Sequence, residues 1–200
     1  MANISILMRG LTMMTKICLI LAAVVGITVT ASCANAVRSD GPYEGRIIDA
    51  ETGRPIEGVV VLGVWYREYP SIAGAMHKYH DAKETVTNAK GEFAISGTGL
   101  QILSNIEPVN LLIFKSGYEY ESGSWNALKK YTPRIKWEGE KAIIPLRKLT
   151  KEERRESMTL PSEPSLEIPP ERMTLMMQEI QKERKARGLD IYKFPSRRRI

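Results

Sequence analysis

Two histidines and an aspartate within five residues form the group of side chains in this sequence with the most chemical potential. His77, His80 and Asp81 are all zinc ligands by type, and a hydrolase could use a zinc-bound water as its nucleophile. Zinc sites have tetrahedral geometry and three or four protein ligands, and Lys78 between the two histidines opposes the binding of a cation. A polar segment without metal is the favoured interpretation, so we predict no metal site and no cofactor.

The motifs of the common hydrolase and nucleotide-binding classes are missing from the sequence. It contains no His-Glu-x-x-His, no Gly-x-Ser-x-Gly and no Gly-Lys phosphate-binding loop. Its two cysteines are Cys18 and Cys33, and export of the protein would remove or block both of them. We therefore predict no catalytic residue.

Aromatic side chains are interleaved with the histidines in the stretch 67–83. Pro70 and Gly74 make this stretch look like a long loop, and loops of more than roughly 12–15 residues are usually functional. Exposed aromatics there could bind a glycan or a protein, whereas general burial trends favour a role in covering the end of the domain. If the loop binds a ligand, the candidate contacting residues are Tyr66, Tyr69, His77, Tyr79 and His80.

The first 36 residues have the pattern of an export signal. An apolar run of 13 residues covers 17–29, preceded by Arg9 and Lys16. A helix that crosses a bilayer needs about 20 apolar residues, so the run suits the core of a signal peptide better than an anchor. We predict a signal peptide over residues 1–36.

Two cleavage sites fit this segment. Ala34-Asn35-Ala36 is an A-x-A site that would leave a soluble periplasmic or secreted protein beginning at Val37. Alternatively, Thr30-Ala31-Ser32-Cys33 resembles a bacterial lipobox, although Thr30 replaces its usual aliphatic residue. That resemblance implies lipidation of Cys33 and a periplasmic or outer-membrane lipoprotein.

Residues 40–149 are predicted to form short β-strands in an all-β sandwich. Apolar and β-branched residues alternate or cluster between Gly, Pro and Asn turns, and Val59, Val61, Phe93 and Ile95 are expected to point inward. Pro145 lacks an N–H, so it is expected at an edge or a bulge. The predicted strands are 43–49, 58–66, 84–88, 92–96, 110–115, 134–137 and 141–144, with hairpins over 84–96 and 134–144.

Residues 150–200 are predicted to be a charged helical extension interrupted by prolines. Thr150 and Glu153 form a capping box, and a helix is expected over 171–187 with Gly188 as its cap. Its apolar stripe could either pack on the sandwich or dock into a partner. The stripe consists of Met173, Met176, Met177 and Ile180.

The segment 43–118 resembles the carboxypeptidase regulatory-like domain, a transthyretin-like β-sandwich. The matching motifs are Gly45-Arg-Ile-Ile-Asp49, Thr52-Gly-Arg-Pro-Ile56, Gly58-Val-Val-Val61, Thr85-Val-Thr-Asn88, Gly91-Glu-Phe93 and Lys115-Ser-Gly-Tyr118. The resemblance implies a seven-stranded Greek-key sandwich, preceded here by the signal helix. It also implies a non-catalytic accessory role, since most domains of this family are accessories of exported proteins.

Composition limits the partners of the protein. The 200 residues carry a formal net charge of +6, which is too small an excess to predict nucleic-acid binding, and a small-molecule substrate is not indicated. We predict a non-catalytic exported module that binds an envelope protein or glycan and is tethered to the membrane if Cys33 is lipidated. The alternative is a metal-dependent hydrolase, or a peptidase-associated subunit, that uses the segment 77–81.

Overall fold

The protein is built mainly from β-strands. A computed structural model describes residues 37–72, 74–156, 160–161 and 167–190, and the predicted signal peptide with Cys33 lies outside them. The strands are β1 (Val37–Asp40), β2 (Tyr43–Asp49), β3 (Val60–Ser71), β4 (Gly74–Val86), β5 (Glu92–Ile95), β6 (Gly99–Ile102), β7 (Asn110–Phe114), β8 (Glu121–Ser124), β9 (Lys136–Glu138) and β10 (Lys141–Leu146). The helices are α1 (Trp125–Tyr131), α2 (Lys151–Glu156) and α3 (Thr174–Ala186), and a 3₁₀ turn covers Pro170–Arg172.

The chain forms two compact units. In the smaller unit the described residues are 37–39 and 100–104, and β1 and β6 pair as a two-stranded sheet. The larger unit contains the other described residues and has two four-stranded sheets. One sheet has the order β5-β2-β10-β9 and the other β4-β3-β7-β8, so the larger unit is sandwich-like.

The main hydrophobic core of the larger unit draws on both four-stranded sheets. Val59 and Val61 from one side and Phe93 and Ile95 from the other are buried, which confirms their predicted inward orientation. Trp65 is fully buried beside the ring of Tyr43, with 6.4 Å between the ring centroids. The remaining members are Ile47, Ile56, Ile106, Val109, Leu111, Ile113, Trp125, Leu128, Ile135, Ala142, Ile144 and Leu146.

A second hydrophobic core lies on the opposite face of β3, beneath helix α3. Side chains alternate between the two faces of a strand, so Val60, Leu62 and Val64 point away from the first core. They are nevertheless buried, because the predicted methionine stripe of α3 packs against this face together with Ala82, Phe114 and Ile168. The stripe therefore packs on its own domain, and Met173 and Met176 are fully buried.

Side-chain caps fix the ends of the two C-terminal helices. The predicted capping box at α2 is confirmed: the Thr150 N–H donates to Glu153 Oε2 (2.8 Å) and the Glu153 N–H donates to Thr150 Oγ1 (3.2 Å). The first turn of α3 is capped from the sheet, because the Leu175 and Met176 N–H groups both donate to the Glu84 carboxylate (3.0 and 2.7 Å). This carboxylate joins the helix to β4 at a position where an anion favours the helix N-terminus.

The prediction of a long loop over 67–83 is wrong. Residues 60–71 and 74–86 instead form one long antiparallel hairpin, paired from Val60–Val86 to Ser71–Gly74. Pro70 and Gly74 are the residues of this stretch that indicated irregular structure. Gly74, with φ of +120°, is the end of the turn rather than a break in the pairing.

The predicted hairpin over 84–96 is also wrong, although both of its strands exist. β4 belongs to one sheet, while β5 pairs with β2 in the other. Thr87 fixes the crossing, because its hydroxyl donates to the Ile56 carbonyl (2.7 Å) and accepts from the Val59 N–H (2.9 Å). These bonds direct the chain out of the first sheet before the Asn88 turn begins.

The last predicted hairpin is confirmed as β9 and β10, and the position of Pro145 has a local explanation. β10 lies between β2 and β9, but β9 pairs only with residues 141–143. Pro145 is paired with β2 alone, so its missing N–H removes no ladder hydrogen bond on the β9 side. The three strands that the sequence analysis did not predict, β1, β6 and β8, have four residues each.

Candidate functional site

The long hairpin of β3 and β4 carries every residue that was predicted to contact a ligand. β7 pairs with β3 only over residues 60–64. The backbone at 105–107 then continues along the same edge of β3, where the Glu107 N–H donates to the Tyr66 carbonyl (2.8 Å) and the Glu68 N–H to the Asn105 carbonyl (2.9 Å). Past Glu68, within the part of the chain that the structure describes, β3 pairs with β4 alone.

Residues 69–76 form the free end of this hairpin, here called the hairpin tip. Pro70 stands opposite Ala75 at a position where the outer edge of β3 has no described partner strand, so its lack of an N–H is tolerated. Tyr69, Ile72 and Met76 are 38%, 109% and 47% exposed. The tip thus presents three large apolar side chains to solvent within eight residues.

Tyr66 and Tyr79 stand opposite each other in the ladder, nearer the sandwich than the tip. Both are half-buried and pack against the second core. Burial raises the pKa of both phenols, and the carboxylates of Glu167 near Tyr66 and Asp81 near Tyr79 raise it further. Both hydroxyls stay protonated at neutral pH, and the two rings connect the hairpin to the residues beneath α3.

His77 lies on the hairpin beside the segment 105–107. Its Nδ1 is 2.5 Å from Glu107 Oε1, and its side chain is 52% exposed against 24% for the glutamate. It stands opposite Glu68 in the ladder. The imidazole therefore links the outer half of β4 to the chain on the far side of β3.

Tyr69 lies three residues after Tyr66 along β3. Because successive side chains of a strand alternate between its faces, Tyr69 points to the opposite face of the hairpin from Tyr66. The Lys78 Nζ sits 5.5 Å from the centroid of its ring, which is a cation–π arrangement. The phenol ring is held over the strand by this contact and stays partly exposed. Of the five predicted contacting residues, Tyr69 alone belongs to the tip.

His80 occupies a β-bulge in β4. Trp65 pairs with Asp81 and Tyr66 pairs with Tyr79, so His80 has no partner residue across the ladder. His77 is engaged with Glu107, and Asp81 lies 3.7 Å from the Arg172 guanidinium. Among the described residues, no group of three or more His, Cys, Asp or Glu side chains is placed to hold a metal ion, the trio at 77, 80 and 81 included.

The outer face of the β5-β2-β10-β9 sheet carries a shallow depression of about 380 Å³. Its rim includes Glu44, Arg46, Glu92 and Lys141. Lys141 pairs with Glu44 at 3.1 Å, and Arg46 stands opposite Glu92 in the ladder. Charges of both signs alternate across an open sheet face here, which is ordinary for the solvent side of a half-buried sheet.

Two buried carboxylates that sequence reasoning missed have structural roles. Burial would raise the pKa of Asp40, but hydrogen bonds from Tyr43, Thr98 and Trp65 Nε1 (2.8 Å for the last) outweigh it and lower that pKa. Glu183 on α3 is 1% exposed and accepts hydrogen bonds from Arg154, Arg187, Ser116 and Gly117. Neither carboxylate has an exposed face at which a substrate could react.

No known protein family, curated protein or solved structure matches the chain. None of the described helices is long and apolar enough to cross a membrane.

The exposed residues Ile72 and Met76 were missed as candidate contacts because the segment was read as a polar loop. Their signal in the sequence is the uncharged run from Tyr69 to Met76, between charged residues on either side. Its exposure follows only once β3 and β4 are known to extend past their neighbours.

Proposed function

We propose that this protein is a non-catalytic, exported accessory module that binds another protein of the cell envelope through its hairpin tip. The proposal includes a Greek-key, transthyretin-like arrangement related to the carboxypeptidase regulatory-like domain. It also includes a membrane tether on Cys33. The sandwich-like sheets agree with the first of these, and the resemblance in the sequence motifs supports it.

The exposure of the tip is the observation that carries the binding role. The Ile72 side chain has no hydrogen-bonding group and the Met76 thioether is only a weak acceptor, so the two suit an apolar protein surface better than the hydroxyls of a glycan. Complete burial of a side chain of this size contributes roughly 1.5–3 kcal/mol. Three such side chains on one hairpin resemble the small apolar centre that dominates binding at many interfaces.

The polar side chains of the hairpin support a binding role over a catalytic one. His77 is paired with Glu107, and Lys78 lies against the Tyr69 ring. These pairs fix the shape of the hairpin. Side chains that are already held by such contacts lose less conformational entropy on binding, which favours affinity.

In-cell photocrosslinking tests the function. A photoreactive amino acid replaces Ile72 in the full-length chain, expressed with its own N-terminus, and the envelope fraction is irradiated. We expect a discrete crosslinked protein that disappears when Tyr69 and Met76 are both changed to Ser. The matched control places the same amino acid at Tyr131, an exposed aromatic on α1 (69%), and gives no such product.

Two results would contradict the proposal. Identical crosslinking from positions 72 and 131 would show that the tip has no selectivity. A protein recovered from the cytoplasm with its N-terminal segment intact, by mass spectrometry, would exclude export.

A further inference from the structure

Strand β6 in the smaller unit has an inverted pattern of burial. Leu100 and Ile102 are 66% and 61% exposed, whereas Gln101 between them is only 9% exposed. The next residue, Leu103, is 84% exposed, and Val37 at the start of the paired strand β1 is 51% exposed. A strand of a soluble domain normally turns its apolar residues inward, whereas this ribbon and the residue after it expose four apolar side chains.

Leu103 also has an unusual backbone. Its φ is +48°, the one positive value outside glycine among the described residues. The left-handed conformation is strained for an L-residue with a Cβ, whereas glycine would adopt it freely. Strained residues of this kind persist mainly at functional sites. Here the strained residue, Leu103, is itself exposed and follows the exposed Ile102 in the sequence.

The ribbon begins immediately after the predicted membrane-targeting segment. Val37 follows Cys33 by four residues and follows the end of the apolar run, Val29, by eight. An extended chain spans at most ~3.6 Å per residue, so Val37 lies within about 14 Å of Cys33 and about 29 Å of Val29. A lipid on Cys33 would therefore hold β1 near the headgroup region of the bilayer.

We propose that the β1–β6 ribbon docks on the lipid bilayer, with Leu100, Ile102 and Leu103 in contact with the interface. This inference rests on the membrane tether of the proposed function and adds a second attachment to it. Leucine and isoleucine partition favourably into a bilayer, and a peripheral protein is held stably when a lipid is combined with a second membrane contact.

Fluorescence quenching by brominated lipid tests the ribbon. Ile102→Cys in the full-length chain, in a Cys18→Ser background, is labelled with bimane and reconstituted in phosphatidylethanolamine–phosphatidylglycerol vesicles. We expect blue-shifted emission that brominated acyl chains quench at least twofold. The control, Tyr131→Cys, keeps the emission of an aqueous label and is not quenched, and equal thermal melting of both variants shows that they are folded.

Two outcomes overturn the ribbon proposal. A label at 102 with aqueous emission means that the ribbon stays in water, and a blue-shifted label that brominated lipid does not quench means contact with a second protein or with another segment of this chain. Intact mass of the same sample reports the tether separately. If Cys33 carries no lipid, it is changed to Ser so that the label is at 102 alone, and the protein is mixed with the same vesicles, where quenching at 102 supports the ribbon without the tether and its absence refutes it.

Discussion

Glu183 of helix α3 and Arg154 of helix α2 form an ion pair that is closed to solvent on the glutamate side. The Arg154 Nε donates to Glu183 Oε1 at 2.9 Å, and the Glu183 side chain is 1% exposed. Arg187 donates to the same oxygen at 2.7 Å. The Gly117 N–H and the Ser116 hydroxyl complete the set, so this carboxylate joins both helices to the end of β7.

Removal of the charge of Glu183 should weaken the whole larger unit. Glu183→Gln leaves Arg154 and Arg187 without their anion in a buried site, and breaking a buried ion pair typically costs about 3–5 kcal/mol. Arg154 is 23% exposed, so hydration recovers part of this and we expect a loss of about 2–3 kcal/mol in the free energy of unfolding. Urea denaturation measures it, and Glu140→Gln, which breaks the exposed pair with Lys129, serves as the control and should change stability by less than about 0.5 kcal/mol.

The same carboxylate should make stability fall in acid. Burial would raise the pKa of Glu183, but Arg154, Arg187, Ser116 and Gly117 together lower it to about 2 from an ordinary value of 4.5. A carboxylate whose pKa is lower in the folded state than in the unfolded state stabilises the fold at pH values above the unfolded-state pKa. This contribution is lost as the pH falls from 4.5 through 2. The free energy of unfolding should decline over that interval, and the decline should be shallower in Glu183→Gln; equal slopes would contradict the assignment.

Glu84 should hold the first turn of α3 on the sheet. Glu84→Ala removes the acceptor of the Leu175 and Met176 N–H groups, and loss of a helix N-cap costs about 1 kcal/mol. We expect faster amide hydrogen exchange in the first turn of α3, with the strands unaffected. Glu92→Ala, on the exposed face of β5, is the control and should leave the exchange of α3 unchanged.

The strands of the sandwich could be predicted from the sequence because their apolar pattern is local. The alternation around Val59 and Phe93 indicates buried strands wherever they pair. The capping box at Thr150 and the methionine stripe of α3 are equally local signals. In each case the residues that form the pattern lie within a few positions of one another in the sequence.

The pairing of strands and the shape of the hairpin could not be predicted. Whether β4 pairs with β5 is decided by Thr87, whose partners are some thirty residues away in sequence. Exposure of Ile72 depends on how far β3 and β4 extend beyond their neighbours. Both are tertiary facts that no short pattern in the sequence contains.

Polar changes at the tip should separate binding from stability. Tyr69→Ser, Ile72→Ser and Met76→Ser combined remove the exposed apolar surface but no contact of either hydrophobic core. Loss of the Lys78–Tyr69 contact costs about 0.5–1 kcal/mol at an exposed site. We therefore expect a fall of no more than about 1 kcal/mol in the free energy of unfolding, together with loss of partner capture by the affinity-tagged protein. If the triple variant captured as much partner as the wild type does, the partner would have to bind elsewhere.

The histidines of β4 should act in structure and not in metal binding. Because His77 is paired with Glu107 and His80 stands in a bulge, the two do not converge with Asp81 on one point. We expect the purified protein to bind no stoichiometric zinc by elemental analysis, both in the wild type and in the His77→Ala, His80→Ala double variant. The double variant should still lose about 1 kcal/mol, since the His77–Glu107 contact is gone, and His80→Ala alone should lose less. One equivalent of zinc in the wild type that is lost from the double variant would instead restore the metal-dependent hydrolase as the leading hypothesis.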